Sequence, residues 1–181
     1  MIPPRLESER LIVQPLNPAD ADTLFAYRSH PNVAKFQSWH PENELETLQF
    51  IQSHEGLDFG IPDTWFQLGV HLKPDIDLIG DIGLHFLKEN SKTVEIGYTI
   101  APAHQRKGYA SESVSGILAY LFTVLQPILI IAVTDPQNHP SIKFLALLGF
   151  EKTAPESLPF TIEMLPEDVL FTLSPEKWAA T

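Results

Sequence analysis

The spacing of apolar residues along the chain predicts alternating strands and helices. Apolar side chains recur every three or four positions in four segments, and they alternate with polar residues or run together in seven others. The first pattern is typical of amphipathic helices and the second of β-strands. The predicted strands are 10–16, 65–72, 77–86, 95–100, 128–133, 161–164 and 169–173, and the predicted helices are one that begins near Pro18, then 42–53, 110–125 and 140–148. This order predicts an α/β fold around one mixed sheet.

Two of these segments have the clearest pattern. Residues 110–125 place large apolar side chains at helical spacing from Val114 to Leu125. Residues 128–133, ILIIAV, form a continuous apolar run, which is typical of a central strand buried on both faces. No internal repeat, low-complexity tract or linker interrupts the chain, so we expect the 181 residues to form a single domain, 1–181.

Composition excludes several classes of protein and of chemistry. Apolar residues make up 44% of the chain, which argues against wholesale disorder. No apolar run reaches the roughly 18 residues of a membrane span, and the first residues lack the apolar stretch of a secretory signal. The absence of cysteine excludes disulfides, zinc–thiolate sites and a cysteine nucleophile, and the seven histidines show no metal-binding spacing. We therefore expect a cytoplasmic protein with no bound metal.

The net charge of −11 narrows the choice of partners. Nucleic acid is not an expected partner, because the neutralisation of phosphates needs a basic face. An acidic surface mildly favours a cationic substrate such as an amine, through long-range steering, although the same charge also serves solubility alone.

The segment 95–111, EIGYTIAPAHQRKGYAS, concentrates the candidate chemistry. It predicts a strand, a tight loop and the start of a helix, and the loop contains Arg106 and Lys107, the only adjacent basic residues in the sequence. Gly108 permits a turn that directs amide groups inward. Cations, amides and a helix N-terminus together suit a phosphate-bearing ligand, while the same composition equally fits a solvated basic turn. The Walker and GxGxxG phosphate-binding motifs are absent.

The stretch Q-R-K-G-Y-A, from Gln105 to Ala110, resembles the acetyl-CoA loop of the GNAT superfamily of N-acetyltransferases, whose pattern is Q/R-x-x-G-x-G/A. Ala110 stands where glycine is more frequent, a replacement that the pattern tolerates. The residues N-H-P-S at 138–141, followed by LALLGFEK, are similar to the N-x-x-S…LGF signature of the RimJ/RimL-like branch, the ribosomal-protein N-terminal acetyltransferases. The terminal sequence patterns of that branch are similar to two segments of this chain, RLIVQPLNPADA at the start and FTLSPEKW at the end. The resemblance therefore extends from Arg10 to Trp178.

The resemblance implies a fold and a co-substrate. The fold would be a mostly antiparallel mixed sheet of about seven strands flanked by about four helices, with the fourth and fifth strands splayed apart. Acetyl-CoA would be bound by unpaired backbone groups of the splayed strand and by the amides of the loop. The residues expected to contact it are Tyr98, Ile100, Gln105, Arg106, Lys107, Gly108, Tyr109, Ala110, Ser111 and Asn138.

The resemblance also implies roles in catalysis. A substrate amine is mostly protonated at neutral pH, so a base must take a proton before the amine attacks the thioester. Glu95 is the candidate base, and a cross-strand pair or a substrate-orienting anion is an equally open role. Ser141 is the candidate donor to the departing thiolate, and Asn138 and Ser141 could also cap a helix. Tyr98 is a weaker candidate acid that could equally lie in the core. Phe36 and Trp39 are candidates for the acceptor pocket, although aromatic residues in such a loop are more often core.

The implied function is transfer of an acetyl group from acetyl-CoA to a primary amine, by direct attack in a ternary complex. The acceptor would be a protein N-terminal α-amine or a small-molecule amine, and a homodimer is suggested by family analogy only. Two alternatives stay open, because fold resemblance does not fix function. One is a non-catalytic acyl-CoA-binding sensor or assembly module, and the other is a nucleotide-binding protein that uses the same loop. No membrane partner is expected.

Overall fold

The computed structural model describes residues 1–88, 90 and 92–180, and within them the chain forms eight strands and six α-helices. The strands are β1 (Leu6–Glu7), β2 (Leu11–Pro15), β3 (Thr64–Leu72), β4 (Asp77–Phe86), β5 (Thr93–Ile100), β6 (Leu129–Thr134), β7 (Glu151–Thr153) and β8 (Val169–Leu173). The helices are α1 (Ala21–Arg28), α2 (Pro31–Ala34), α3 (Glu44–His54), α4 (Tyr109–Tyr120), α5 (His139–Leu147) and α6 (Pro175–Trp178). A π-helical turn at Leu121–Leu125 continues α4.

The strands form one mixed sheet in the order β1-β2-β3-β4-β5-β6-β8-β7. β5 and β6 pair in parallel, whereas β2 pairs antiparallel with β3, and β8 pairs antiparallel with β6 and β7. Inside the sheet, Ile130 and Ile131 of β6 are fully buried, as predicted for a strand covered on both faces. The predicted α/β fold around one mixed sheet is therefore confirmed.

Three details of the predicted strand set are wrong. Residues 161–164 form no strand, and the side chains of Ile162 and Met164 instead pack on a core cluster from a loop. The strand that pairs with the outer edge of β8 is β7, which has only three residues. The two-residue β1, which pairs with β2, is the other unpredicted strand and brings the sheet to eight strands.

Polar side chains mark where the helices begin. Asn17 accepts a hydrogen bond from the N–H of Ala19 (2.9 Å), and Asp20 accepts one from the N–H of Asn17 (2.9 Å). This reciprocal cap starts a 3₁₀ turn at Pro18–Asp20, and α1 follows directly. Asn43 caps α3 in the same way, through the N–H of Glu46 (2.9 Å). The predicted starts therefore lie within a few residues of the observed ones.

The chain divides into two compact units, which are described separately. The first unit comprises residues 1–60, 66–83 and 98–117, and the second comprises the described residues of 61–65, 84–97 and 118–180. A core cluster of the first unit contains Leu16, Ala21, Leu24, Tyr27, Ile51, Leu78 and Ala101. A core cluster of the second unit contains Leu87, Ile131 and Leu170.

The first unit also buries a polar network around Asp81 of β4. The Asp81 carboxylate is fully buried and accepts hydrogen bonds from the hydroxyl of Tyr27 (2.6 Å) and from Nε of Arg28 (3.2 Å). Further bonds come from Nη2 of Arg28 and from the amide of Gln67. Burial raises the pKa of the Tyr27 hydroxyl well above its usual range, and the charge of Asp81 raises it further, so Tyr27 stays a neutral donor.

We expect Asp81→Asn to lower the free energy of unfolding by about 3–5 kcal/mol, because it leaves the Arg28 cation buried without its counter-charge. Chemical denaturation measures this loss. Glu151→Gln is the matched control, since Glu151 pairs with Lys177 (2.6 Å) where both side chains are more than half exposed. The control should lose no more than about 1 kcal/mol. Equal losses for the two variants would contradict this view of the network.

Candidate functional site

β5 shares only its first residues with β6. The parallel register joins Thr93 to Leu129, Val94 to Ile130 and Glu95 to Ile131. β5 continues to Ile100 and β6 to Thr134, but the register contains no further pair among the residues that the structure describes. The end of the register at Glu95 agrees with the predicted divergence of two neighbouring strands, numbered here β5 and β6.

The first unit continues β5 into a short connection. The N–H of Ala101 donates to the carbonyl of Ile79 (2.9 Å), and Pro102–His104 form a 3₁₀ turn. The side chain of Gln105 then folds back, and its Nε2 donates to the carbonyl of Ile100 (2.9 Å). Unpaired backbone groups are predicted in this part of the strand, and the Ile100 carbonyl already has one donor and retains a single lone pair. The Ile100 side chain is buried, which leaves only its backbone for contact.

Six consecutive amides at the end of this loop and the start of α4 have no acceptor. Within the described part of the chain, the N–H groups of residues 106–111 donate to no backbone carbonyl or side chain. The first amides of a helix lack intrahelical acceptors by geometry. Arg106 (φ 61°) and Gly108 (φ 82°) both adopt the left-handed region, which reverses the chain direction before α4. The segment thus presents a row of donors suited to an anion.

Two cations flank these amides. The side chains of Arg106 and Lys107 are exposed, and neither forms an ion pair with any residue that the structure describes. The chain as a whole has 23 acidic and 12 basic residues, and Arg106 and Lys107 are the only two basic residues that are adjacent in the sequence. Their charge is available to an incoming anion.

Arg10, just before β2, links the loop that contains Lys107 to the first turn of α4. Its Nε and Nη2 contact Oε2 of Glu112 (2.7 and 2.6 Å), and its Nη1 donates to the carbonyl of Lys107 (3.0 Å). The guanidinium also lies 4.6 Å from the centroid of the Tyr109 ring. One side chain therefore holds the loop backbone, the first helical residue and a first-turn carboxylate in a fixed arrangement.

Glu112 is ionised at neutral pH and keeps this arrangement intact. Partial burial alone would raise the pKa of Glu112, but hydrogen bonds from the Ser8 hydroxyl (2.6 Å) and the Arg10 N–H (3.1 Å), with the charge of Arg10, hold that pKa below its ordinary value. A carboxylate whose pKa is lowered on folding stabilises the fold above its ordinary pKa. This contribution is lost only in acid, as the pH falls through the lowered value.

The second unit contains Glu95, at the last position of β5 that pairs with β6. Its side chain is 15% exposed, and Oε2 lies 3.4 Å from Nδ1 of His85 on β4. The indole of Trp65 stacks on the His85 ring with a centroid distance of 5.0 Å and an interplanar angle of 14°. Trp65 is 40% exposed. A carboxylate, an imidazole and an indole therefore share one solvent-accessible part of the sheet.

Asn138 and Ser141 lie at the start of α5 in the second unit. The Asn138 side chain accepts a hydrogen bond from the backbone N–H of Ser141 (3.3 Å) and caps the helix. The capping role predicted for this motif is therefore present. Because the cap uses the backbone N–H of Ser141, it is compatible with a chemical role for the hydroxyl.

Phe36 and Trp39 lie after α2 in the first unit, and both are half-buried. Trp39 stacks on Phe50 of α3 with a centroid distance of 4.1 Å, and its carbonyl accepts a hydrogen bond from Nη1 of Arg28 (3.4 Å). The same Nη1 donates to Gln37 (2.6 Å), so the buried Asp81 network extends to this loop. The acceptor role of Phe36 and Trp39 stays a prediction.

The rest of the described chain offers no competing centre. No group of three or more histidine or acidic side chains suited to a metal occurs in the described residues. No helix among them is long and apolar enough to cross a membrane. A cavity of about 370 Å³ lies in the first unit beside α3 and the N-terminal residues, and none of the predicted site residues lines it.

Comparison with known proteins decides the family. Residues 10–151 match the model of the acetyltransferase (GNAT) domain, which is well over half of the chain. The protein belongs to the GNAT acetyltransferases. It is 34% identical over 153 residues to YoaA of Bacillus subtilis, across 82% of this chain and 84% of that protein. It is 32% identical over 151 residues to p20 of Bacillus licheniformis, across 81% and 82%. Both relatives are named as uncharacterized N-acetyltransferases.

Solved structures share the GNAT fold. A GNAT-family acetyltransferase from Bacillus anthracis superposes with a TM-score of 0.78 at 24% identity, over 96% of this chain and 99% of that one. A protein from Vibrio cholerae, described as a candidate ribosomal-protein-serine acetyltransferase, gives a TM-score of 0.78 at 22% identity, over 97% and 100%. This GNAT protein is an acetyltransferase enzyme, and enzymes of the family transfer acyl groups with acetyl-CoA.

Sequence reasoning missed two contacts that shape this GNAT enzyme. Arg10 and Glu112 are separated by 102 residues, and His85 and Glu95 by ten. The alternation of β4 and β5 could have placed His85 and Glu95 on one face, but only with a known register between the strands. No local pattern signals the Arg10 contact.

We expect Gly108→Ala to weaken acetyl-CoA binding about tenfold, equivalent to about 1.4 kcal/mol. An alanine at φ 82° is strained, and its Cβ would lie 3.3 Å from Nη2 of Arg10, so the amides would shift. Gly116→Ala on α4 is the control, because its Cβ would meet no atom within 4 Å and the change favours the helix. Titration calorimetry measures both affinities. Wild-type affinity in Gly108→Ala would contradict the proposed use of the loop.

Proposed function

We propose that this GNAT enzyme transfers the acetyl group of acetyl-CoA to a primary amine by direct attack in a ternary complex. The observation that carries the proposal is the segment 106–111, where amides and two cations that have no partner among the described residues lie together on a strongly acidic chain. The pyrophosphate of CoA is the anionic group that such donors suit. Family membership supports the choice of acetyl-CoA over other phosphates.

Each predicted cofactor residue has a proposed contact. The backbone of Tyr98 and Ile100 would bond the pantetheine arm, Asn138 would contact its amides, and the loop would hold the pyrophosphate. The loop residues in this proposal are Gln105, Arg106, Lys107, Gly108, Tyr109, Ala110 and Ser111. The proposal treats 1–181 as one acetyltransferase domain, because the matched region 10–151 includes residues of both units.

The chemistry requires a neutral amine and a stabilised leaving group. Acetyl-CoA supplies the activated thioester when bound. Glu95 would accept the proton that the amine loses, and its partly exposed carboxylate supports that role. The hydroxyl of Ser141 would donate a hydrogen bond to the departing thiolate. Direct transfer without a covalent enzyme intermediate is supported by the absence of cysteine from the sequence.

The acceptor is proposed to be either a protein N-terminal α-amine or a small-molecule amine. The N-x-x-S…LGF resemblance to the RimJ/RimL-like branch supports the first class, as does the description of the Vibrio cholerae neighbour. The acidic chain supports cationic amines in general, since every such acceptor arrives mostly protonated. Phe36 and Trp39 would line the acceptor pocket.

The proposal is tested by titrating the purified protein with acetyl-CoA and then measuring thiol release. The acceptor panel contains peptides that begin with serine, alanine or methionine, a polyamine and simple primary amines. Binding with thiol release on one class of acceptor is the expected result and names the substrate class. Absence of acetyl-CoA binding would contradict the proposal.

Two variants separate catalysis from binding. Glu95→Gln should lower kcat by about 10²–10⁴-fold, as expected for loss of a general base, while the Kd for acetyl-CoA stays unchanged. Ser141→Ala should also lower kcat and leave the α5 cap in place. Glu167→Gln, at an exposed position, is the matched carboxylate control. Wild-type kcat in Glu95→Gln would remove the proposed base.

Lys107→Glu should weaken acetyl-CoA binding more in low salt than in high salt. The Debye length shortens from about 30 Å at 0.01 M to about 3 Å at 1 M, so an electrostatic contribution is screened. Lys152→Glu carries the same charge change at an exposed position of β7 and should have a much smaller effect at both ionic strengths. An equal loss of affinity at both salt concentrations would show that Lys107 acts by another means.

A further inference from the structure

We propose that His85 is a positioning residue that holds the Glu95 carboxylate in the orientation needed to take the proton of the acceptor amine. This inference rests on the proposed role of Glu95 as the base, and it adds a residue for which neither the sequence pattern nor the family comparison gives a role. The observation behind it is the contact between β4 and β5 in the second unit, where Nδ1 of His85 lies 3.4 Å from Oε2 of Glu95.

The chemistry of the two groups fixes the direction of this contact. An ionised carboxylate can only accept hydrogen bonds, so Nδ1 of His85 carries the hydrogen and donates it to Oε2. Within the described chain, no other residue forms a hydrogen bond or ion pair with the Glu95 carboxylate, so Oε1 keeps its lone pairs for a substrate. His85 thus holds one oxygen of the base, and the other can accept a proton.

The imidazole of His85 is itself held by a stacked aromatic ring. The Trp65 indole stacks on its face at a centroid distance of 5.0 Å, which fixes the plane of the ring. Asp63 Oδ1 lies 4.0 Å from Nε2, and the Asp63 carboxylate also pairs with Lys88 (3.8 Å). Among the described residues, the charged groups paired with the His85 ring are Asp63 and Glu95, and Lys88 pairs with Asp63. The stacked indole keeps the plane of the ring in an orientation in which Nδ1 points at Glu95.

Packing alone does not account for this arrangement. The His85 and Glu95 side chains are 18% and 15% exposed, and Trp65 is 40% exposed, so the cluster is open to solvent. The orientation of a base strongly affects a reaction rate, because a misplacement of about 1 Å can cost about 100-fold. A positioning role therefore fits the partial exposure better than a structural one.

The test compares His85→Ala with His85→Asn in the acetyl-transfer assay. His85→Ala should lower kcat by about 10-fold to 100-fold, with KM for acetyl-CoA unchanged. His85→Asn keeps a side-chain N–H near the position of Nδ1 and should recover most of the lost kcat. Thermal unfolding of both variants serves as a control, and cooperative transitions should show that both variants are folded. Wild-type kcat in His85→Ala, or equal losses in the two variants, would overturn the inference.

A double-variant cycle with Glu95→Gln shows whether His85 acts through Glu95. If it does, His85→Ala should cause little further loss of kcat in the Glu95→Gln background, whereas independent effects would multiply and overturn the inference. The same cycle separates the two proposals. Full activity of Glu95→Gln would refute the base itself, while an inactive Glu95→Gln beside a fully active His85→Ala would refute only the positioning role.

Discussion

The parallel pairing of β5 with β6 ends at Glu95, and the chemistry proposed for this protein depends on that point. Up to Glu95 the strand is fixed by a neighbour on each side, which gives the candidate base a rigid support. Beyond it the register with β6 has no further pair, and β5 leads within a few residues into the loop that opens α4. A single strand therefore supplies the proposed base, the proposed pantetheine contacts and the approach to the candidate phosphate-binding loop.

The loop itself meets two opposing requirements. For the proposed binding, amides 106–111 must lack acceptors within the described chain so that a ligand can use them, yet amides without partners do not hold a loop in one shape. Arg10 stabilises the loop without using these amides, because its guanidinium donates to the Lys107 carbonyl and to the Glu112 carboxylate. The cost of unpaired donors is small because the segment is exposed to water, and a bound anion would replace that water.

Local pattern was enough to predict the elements and the loop, and it failed where structure depends on distant partners. The burial of β6 followed from its continuous apolar run, and the cap of α5 followed from Asn138 before a proline. The strand predicted at 161–164 was wrong because Ile162 and Met164 bury their side chains without pairing their backbone. β7 has too few residues for a visible alternation. The contacts of Arg10 with Glu112 and of His85 with Glu95 depend on which strands become neighbours, and one sequence does not specify that.

The central claim is that the amides of residues 106–111 bind the pyrophosphate of acetyl-CoA, and hydrogen exchange measures those amides directly. In the free protein they should exchange rapidly, since none has an acceptor in the described chain. Saturating acetyl-CoA should slow exchange in this segment, while the exposed segment 155–157 serves as an internal reference and should not change. Exchange at 106–111 that is unaffected by saturating acetyl-CoA would contradict the account.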